Sequence, residues 1–227
     1  VLILYNRPKF VGGGFMQITW YGHSCFLIKT SIGKRILIDP FDNNLGYENV
    51  FPKCDLITFS HNHFDTSYLN TTNNTTKLIN QTGIFDMNYI KIEGFNSFHD
   101  KCNGHKRGSN IIYIFKEDKY TLCHLGHLGH IPSSSILENL KNIDILLIPI
   151  DGNFTLNGFE ATKLCKLISP KYIIPMNYKT NKTSLNLDDP KNFILSQKYV
   201  KKINSNILDT SNLNPNYEPE CILLKCP

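Results

Sequence analysis

Apolar residues along this chain fall mainly into short runs of strand length, separated by Gly, Pro, Asn and Asp. Segments 17–21 and 25–29 are β-rich and are joined by Gly22-His23-Ser24, a hairpin signal. Segment 35–39 closes on Pro40, and 55–60 is an apolar run that ends in polar residues. The same reasoning predicts strands at 89–93, 110–115, 120–124, 143–148, 171–175 and 221–225. Helical spacing is confined to 134–140, 157–168 and 190–200; in the middle segment Leu164, Leu167 and Ile168 repeat an apolar face at i, i+3 and i+4. The Asn/Thr run at 70–76 reads as a loop. With no internal repeat and no linker, residues 16–227 are expected to form one α/β domain. Residues 1–15 carry Gly12-Gly13-Gly14 and precede Met16, so they are expected to be an N-terminal extension from an alternative start or cloning. The other reading of that segment is an edge strand at 2–5.

Length and charge narrow the classes. A chain of 227 residues can bury a core without disulfide staples. Its 24 basic and 19 acidic residues leave a diffuse +5 with no basic block, so no nucleic-acid partner is expected. The longest apolar run, 143–150, is broken by Asp144 and Pro149, well short of the ~20 residues a membrane span needs. Seven irregularly spaced cysteines, without a C-x-x-C pair, read as reduced thiols of a cytoplasmic protein. A small-molecule substrate is then the expected partner, with homo-oligomerisation possible.

Candidate chemistry gathers where strands end. In His61-Asn62-His63-Phe64-Asp65 alternate residues of an extended segment point the same way, so His61 and His63 can project together and a turn can bring Asp65 round. Two neutral imidazoles and a carboxylate suit Zn, with Fe and Mn as alternatives. Alone, that pattern also fits a solvated His-rich loop. Three further polar tips follow later strands: Phe98-His99-Asp100, Cys123-His124-Leu125-Gly126-His127-Leu128-Gly129-His130 and Pro175-Met176-Asn177-Tyr178.

Together with Ile18-Thr19-Trp20-Tyr21-Gly22-His23-Ser24-Cys25-Phe26, Ile36-Leu37-Ile38-Asp39-Pro40-Phe41 and Arg107-Gly108-Ser109-Asn110, these segments resemble the metallo-β-lactamase superfamily. The likeness is to its compact branch, which includes ascorbate-6-phosphate lactonase-like proteins and N-acyl-phosphatidylethanolamine phospholipases. It spans residues 16–227 and implies a four-layer αββα sandwich with the site along one edge of its two sheets. It implies metal ligands at His61, His63 and His99, with Asp65 the one remaining ligand of a second position. Thr66, His127 and Asn177 stand where the family has a His, the bridging Asp and the last His. The resemblance therefore implies a degenerate, mononuclear centre, with Zn favoured over Fe or Mn.

On this reading Asp65 acts as base or orients water, and His127 either ligates or donates to a developing oxyanion. Asn177 and Tyr178 contact substrate, while Asp39 and Thr66 stand behind the ligands. The implied activity is hydrolysis of a lactone, phosphodiester or related ester; the alternative is a non-catalytic ligand- or partner-binding protein on the same scaffold. His23 is expected to be hydrogen-bonded and structural, and Arg107 to anchor a loop, with Lys106-Arg107-Gly108 able to attract an anion. His124 and His130 are expected to belong to a tight turn, and Trp20 to the core. Cys25 and Cys123 are nucleophile candidates only if a base lies nearby.

Overall fold

In the sequence QITWYG, inward-facing positions alternate with half-exposed ones, which makes β1 (Gln17–Gly22) a strand with one face in the core. The computed structural model describes residues 15–48, 50–62, 71–117, 119–213 and 218–227, and β1 lies in the first of two sheets. The other strands of that sheet are β2 (Cys25–Lys29), β3 (Arg35–Ile38), β4 (Leu56–Thr58), β5 (Lys77–Ile79) and β13 (Ile207–Asp209), in the order β13-β1-β2-β3-β4-β5. The second sheet contains β6 (Gly83–Asp86), β7 (Lys91–Phe98), β8 (Ser109–Glu117), β9 (Tyr120–His124), β10 (Ile145–Pro149), β11 (Tyr172–Met176), β12 (Tyr199–Lys202) and β14 (Glu220–Leu223). Their order is β12-β14-β11-β10-β9-β8-β7-β6.

The second sheet is antiparallel from β6 to β9 and parallel from β9 through β10 and β11 to β14 and β12. Burial is greatest in the middle of the parallel part. ILLIP of β10 and YIIPM of β11 are buried at every position, as expected of parallel strands covered on both faces. In the first sheet Phe26, Ile28, Ile36, Ile38 and Leu56 join Trp20, Ile92, Ile112, Ile114 and Ile148 in one core between the sheets. Their alternates Cys25, Leu27, Leu37 and Ile57 face outward onto Phe41, Tyr47 and Phe51, so the loop after β3 covers that side.

Three helices are described: α1 (Ser134–Asn139), α2 (Gly158–Ile168) and α3 (Lys191–Leu195). Asn157 and Glu160 close a reciprocal capping box at the start of α2. That helix buries Gly158, Ala161, Leu164, Cys165 and Ile168. Leu167, expected on this face, is instead 48% exposed, because it lies one residue round the helix from the stripe that Ala161 defines. The helix expected at 190–200 ends at Leu195, where parallel pairing with β14 draws Tyr199–Lys202 into a strand. β5, β6 and β13 were not anticipated: each has three or four residues, and each closes an edge of its sheet. The segment expected to be an edge strand at 2–5 lies outside the described residues. No described helix is long and apolar enough to cross a membrane.

Beyond the end of β9 the chain passes close to residues of both sheet regions. Gly126 has φ +60, and a Cβ there would overlap the Asn110 side chain and Ser60. Gly33 also has positive φ (+84), but it has open space around it. Gly33→Ala is expected to cost about 1 kcal/mol from backbone strain alone. Gly126→Ala should cost clearly more, because Asn110 and Ser60 must also move; urea unfolding of both variants checks the order.

Candidate metal centre

His61 stands just beyond β4, His99 at the end of β7, and His127 in the turn after β9. One ring nitrogen from each converges, all within 4.8 Å of one another. His61 stacks on His127 (centroids 3.9 Å apart, planes at 25°), and His99 meets both edge-on. These rings form the floor of a cavity of about 690 Å³ at the sheet edge.

Hydrogen-bond partners assign the protons. Ser60 donates its backbone N–H to Asp39 Oδ1 (2.7 Å) and its hydroxyl to Asp39 Oδ2 (2.6 Å). With that single hydroxyl proton given to an ionised carboxylate, the 2.7 Å contact between Ser60 Oγ and His61 Nδ1 must have the imidazole as donor. His61 Nε2 then carries a lone pair. A carbonyl oxygen only accepts, so His99 Nδ1 donates to the Phe154 carbonyl at 3.1 Å and its Nε2 also carries a lone pair. That Nε2 lies 2.9 Å from His127 Nδ1, whose ring is held at Nε2 by Ser24 Oγ (2.9 Å). The His127 backbone N–H is fixed by the Asn110 side chain (2.8 Å). Two imidazole nitrogens facing each other at 2.9 Å require a proton or a cation between them. Three imidazoles in their neutral form would fit a nitrogen-preferring divalent metal such as Zn.

The cavity's backbone is strained in places. His23, Asp39 and Asn177, all of which line it, have φ of +49, +46 and +55. The Asp39 N–H donates to the Thr58 carbonyl, and the Asn177 N–H to that of His23. The Asn177 side-chain amide donates to Asp151 Oδ2 at 2.8 Å.

Asp151 is a site residue the sequence did not bring forward. It is fully buried and accepts from the backbone N–H groups of Asn153, Phe154 and Thr155 and from the Thr155 hydroxyl. Burial pushes its carboxyl above the ordinary range, against those donors. The available signal was an Asp directly after a buried strand and before Gly152, which has φ +73.

Asp100 organises the facing loop. Its carboxylate accepts from the backbone N–H groups of Cys102, Gly104, Lys106 and Arg107. Desolvation would raise its pKa, but these donors outweigh it and hold the carboxyl well below the usual range. Arg107 lies on this loop as a rim residue of the cavity. Its Nη2 donates to the Asn153 carbonyl (3.0 Å), and its guanidinium sits 5.5 Å from the centre of the Phe154 ring.

Other candidates resolve into structural roles. His124 donates to the Ser24 carbonyl and accepts from the Gly126 N–H; burial keeps its pKa low despite Asp39 at 3.9 Å. His130 accepts from the Phe98 N–H and donates to the Ile131 carbonyl. Cys123 is fully buried with its pKa pushed up, and Cys25 is buried on the outer face of the first sheet. The Tyr178 ring packs against Trp20 (5.4 Å) in the core rather than lining the cavity. His63, Asp65 and Thr66 lie outside the described residues.

Two outcomes follow from these bonds. Ser60→Ala removes the acceptor for His61 Nδ1–H and should weaken Zn affinity roughly 10–100-fold, measured by competition with a chromogenic chelator. Asp100 has a folded pKa below its unfolded value, so its contribution is present above the unfolded carboxylate range and fades as pH falls toward the folded pKa. Asp100→Asn should therefore speed amide exchange at 102–107 at neutral pH, and the difference from the parent should shrink as the medium is acidified.

The description "Beta-lactamase superfamily domain" matches residues 17–177. A UPF0173 metal-dependent hydrolase of Carboxydothermus hydrogenoformans is 27% identical over 194 residues, 73% of this chain and 85% of that protein. A UPF0173 protein of Pyrococcus abyssi is 32% identical over 183 residues, 73% of this chain and 84% of its own length. Among solved structures, a candidate Zn-dependent hydrolase of the metallo-β-lactamase superfamily from Thermotoga maritima superimposes with a TM-score of 0.78. It is 32% identical and covers 93% of this chain and 100% of its own. The two facing sheets with outer helices are therefore the αββα sandwich, and this chain belongs to the metallo-β-lactamase superfamily.

Proposed function

We propose that this protein is a metal-dependent hydrolase with one divalent ion, held by His61 and His99 and by one or both of His63 and His127. The observation that carries this reading is the convergence of three imidazole nitrogens, two of them with their protons committed elsewhere. Zn is the first choice, with Fe or Mn as alternatives. A single ion is favoured because the convergent group of described residues holds no carboxylate and the Asn177 amide is engaged by Asp151. Such an ion polarises a carbonyl or phosphoryl oxygen and lowers the pKa of water to about 7.

The chain's own residues supply the rest. Asp65 takes a proton from the attacking water and returns it to the leaving oxygen; Asp39, acting through Ser60, fixes the His61 ring. Asn177, held by Asp151, lines the cavity in which the substrate oxygen would sit. Water adds across the acyl–oxygen or phosphorus–oxygen bond of a lactone, phosphodiester or related ester, giving acid and alcohol. A cavity of about 690 Å³ suits a small molecule. All seven cysteines are free thiols, which fits a reducing compartment such as the cytoplasm.

A second reading, a ligand-binding protein without turnover, draws on the bonds that engage His127 and Asn177 inside the protein. Elemental mass spectrometry on protein purified without chelator or nickel separates the two readings. The hydrolase predicts about one ion per chain, lost in His61→Ala and in His99→Ala; comparing His63→Ala with His127→Ala identifies the third ligand. No metal after reconstitution would falsify it.

A further inference from the structure

The cavity's lining includes the apolar Phe41, Leu45 and Phe59, and also Phe154, with Arg107 over its ring. Arg107 is exposed, yet it has two partners: Nη2 donates to the Asn153 carbonyl, and the guanidinium carbon lies over the Phe154 ring, 5.5 Å from its centre. Both partners belong to the loop that Asp151 organises. The remaining N–H donors of the fork stay available. A guanidinium already held by a hydrogen bond and a cation–π contact loses less freedom on taking up an anion than a swinging side chain does. Asp42, next to Phe41 in sequence and also in the lining, carries the opposite charge, so an anionic group is favoured at Arg107 rather than beside Asp42. Phe154 also places this cation one residue from the metal-facing histidines, because its carbonyl is the oxygen that accepts from His99.

We infer that Arg107, on Phe154, is an anion subsite, and that the substrate is an ester with an apolar body and a terminal carboxylate or phosphate bound there. The inference rests on the hydrolase reading for the reacting end of the molecule, not for the anion.

Two substrates of equal acyl length test it on the Zn-reconstituted full chain: mono-4-nitrophenyl glutarate, which ends in a carboxylate, and neutral 4-nitrophenyl valerate. The parent protein should show KM roughly tenfold lower for the glutarate ester. Arg107→Met should bring the two KM values within about twofold, and Arg107→Lys should restore part of the gap, as expected of a charge contact. Equal KM values in the parent overturn the inference while leaving a hydrolase in place. Calorimetric titration with glutarate and its neutral diamide, glutaramide, reads the subsite without turnover. A glutarate preference that Arg107→Met removes supports the subsite even if no ester is cleaved, in which case the hydrolase reading fails alone. No preference in either assay overturns it. Competition by glutarate against propyl phosphate then shows which anion the fork prefers.

Discussion

Ser60 has one hydroxyl proton, and much of the site depends on where it goes. Its N–H and hydroxyl both serve Asp39, its carbonyl accepts from Ile111 near the start of β8 in the second sheet, and its side chain fills the space that Gly126 leaves open. A fully buried carboxylate beside two imidazoles is expensive unless its oxygens are answered, and Ser60 answers both. That requirement holds Asp39 in a left-handed conformation, sets the tautomer of His61, and joins the ends of β3, β4, β8 and the turn after β9 at one point. The strand ends are thus positioned by polar bonds, on a scaffold held together by apolar packing between the sheets.

What could be read from the sequence follows what has a side-chain signature. Continuous apolar runs gave away β10 and β11 because parallel strands are covered on both faces. His61, His99 and His127 stood out because each is a polar residue just after such a run. Short edge strands were lost: β13 acquires its identity from pairing with β1, not from its own pattern. The same override turned the end of the expected third helix into β12. Two groups that set the histidine geometry were hidden for another reason. The carbonyl of Phe154 is a backbone atom, and Ser60 looks like any polar strand end. Tyr178, named beside Asn177, turned inward because Trp20 offered it an aromatic face.

The resemblance implies that His127 stands where the family has a bridging carboxylate, and on the proposed reading that exchange would alter the charge of the centre. A carboxylate would neutralise part of a divalent ion, whereas imidazole leaves it whole and can hold its own orientation through Ser24 and Asn110. The loop at 151–155 links this centre to the rim: one residue, Phe154, offers its carbonyl to a histidine and its ring to an arginine. Metal-side and rim-side geometry therefore share a support.

The pairing of β1 with β13 has a consequence for how the protein is made. Gln17 and Asp209, bonded across these strands, are separated by 192 positions in sequence. On a ribosome adding roughly 5–20 residues per second, β1 waits on the order of 10–40 s for that neighbour to emerge. Throughout that interval the first sheet presents a strand edge ready to pair with other chains. Completion of the sheet is thus set by the speed of translation, and a nascent chain stalled before residue 207 keeps that edge open.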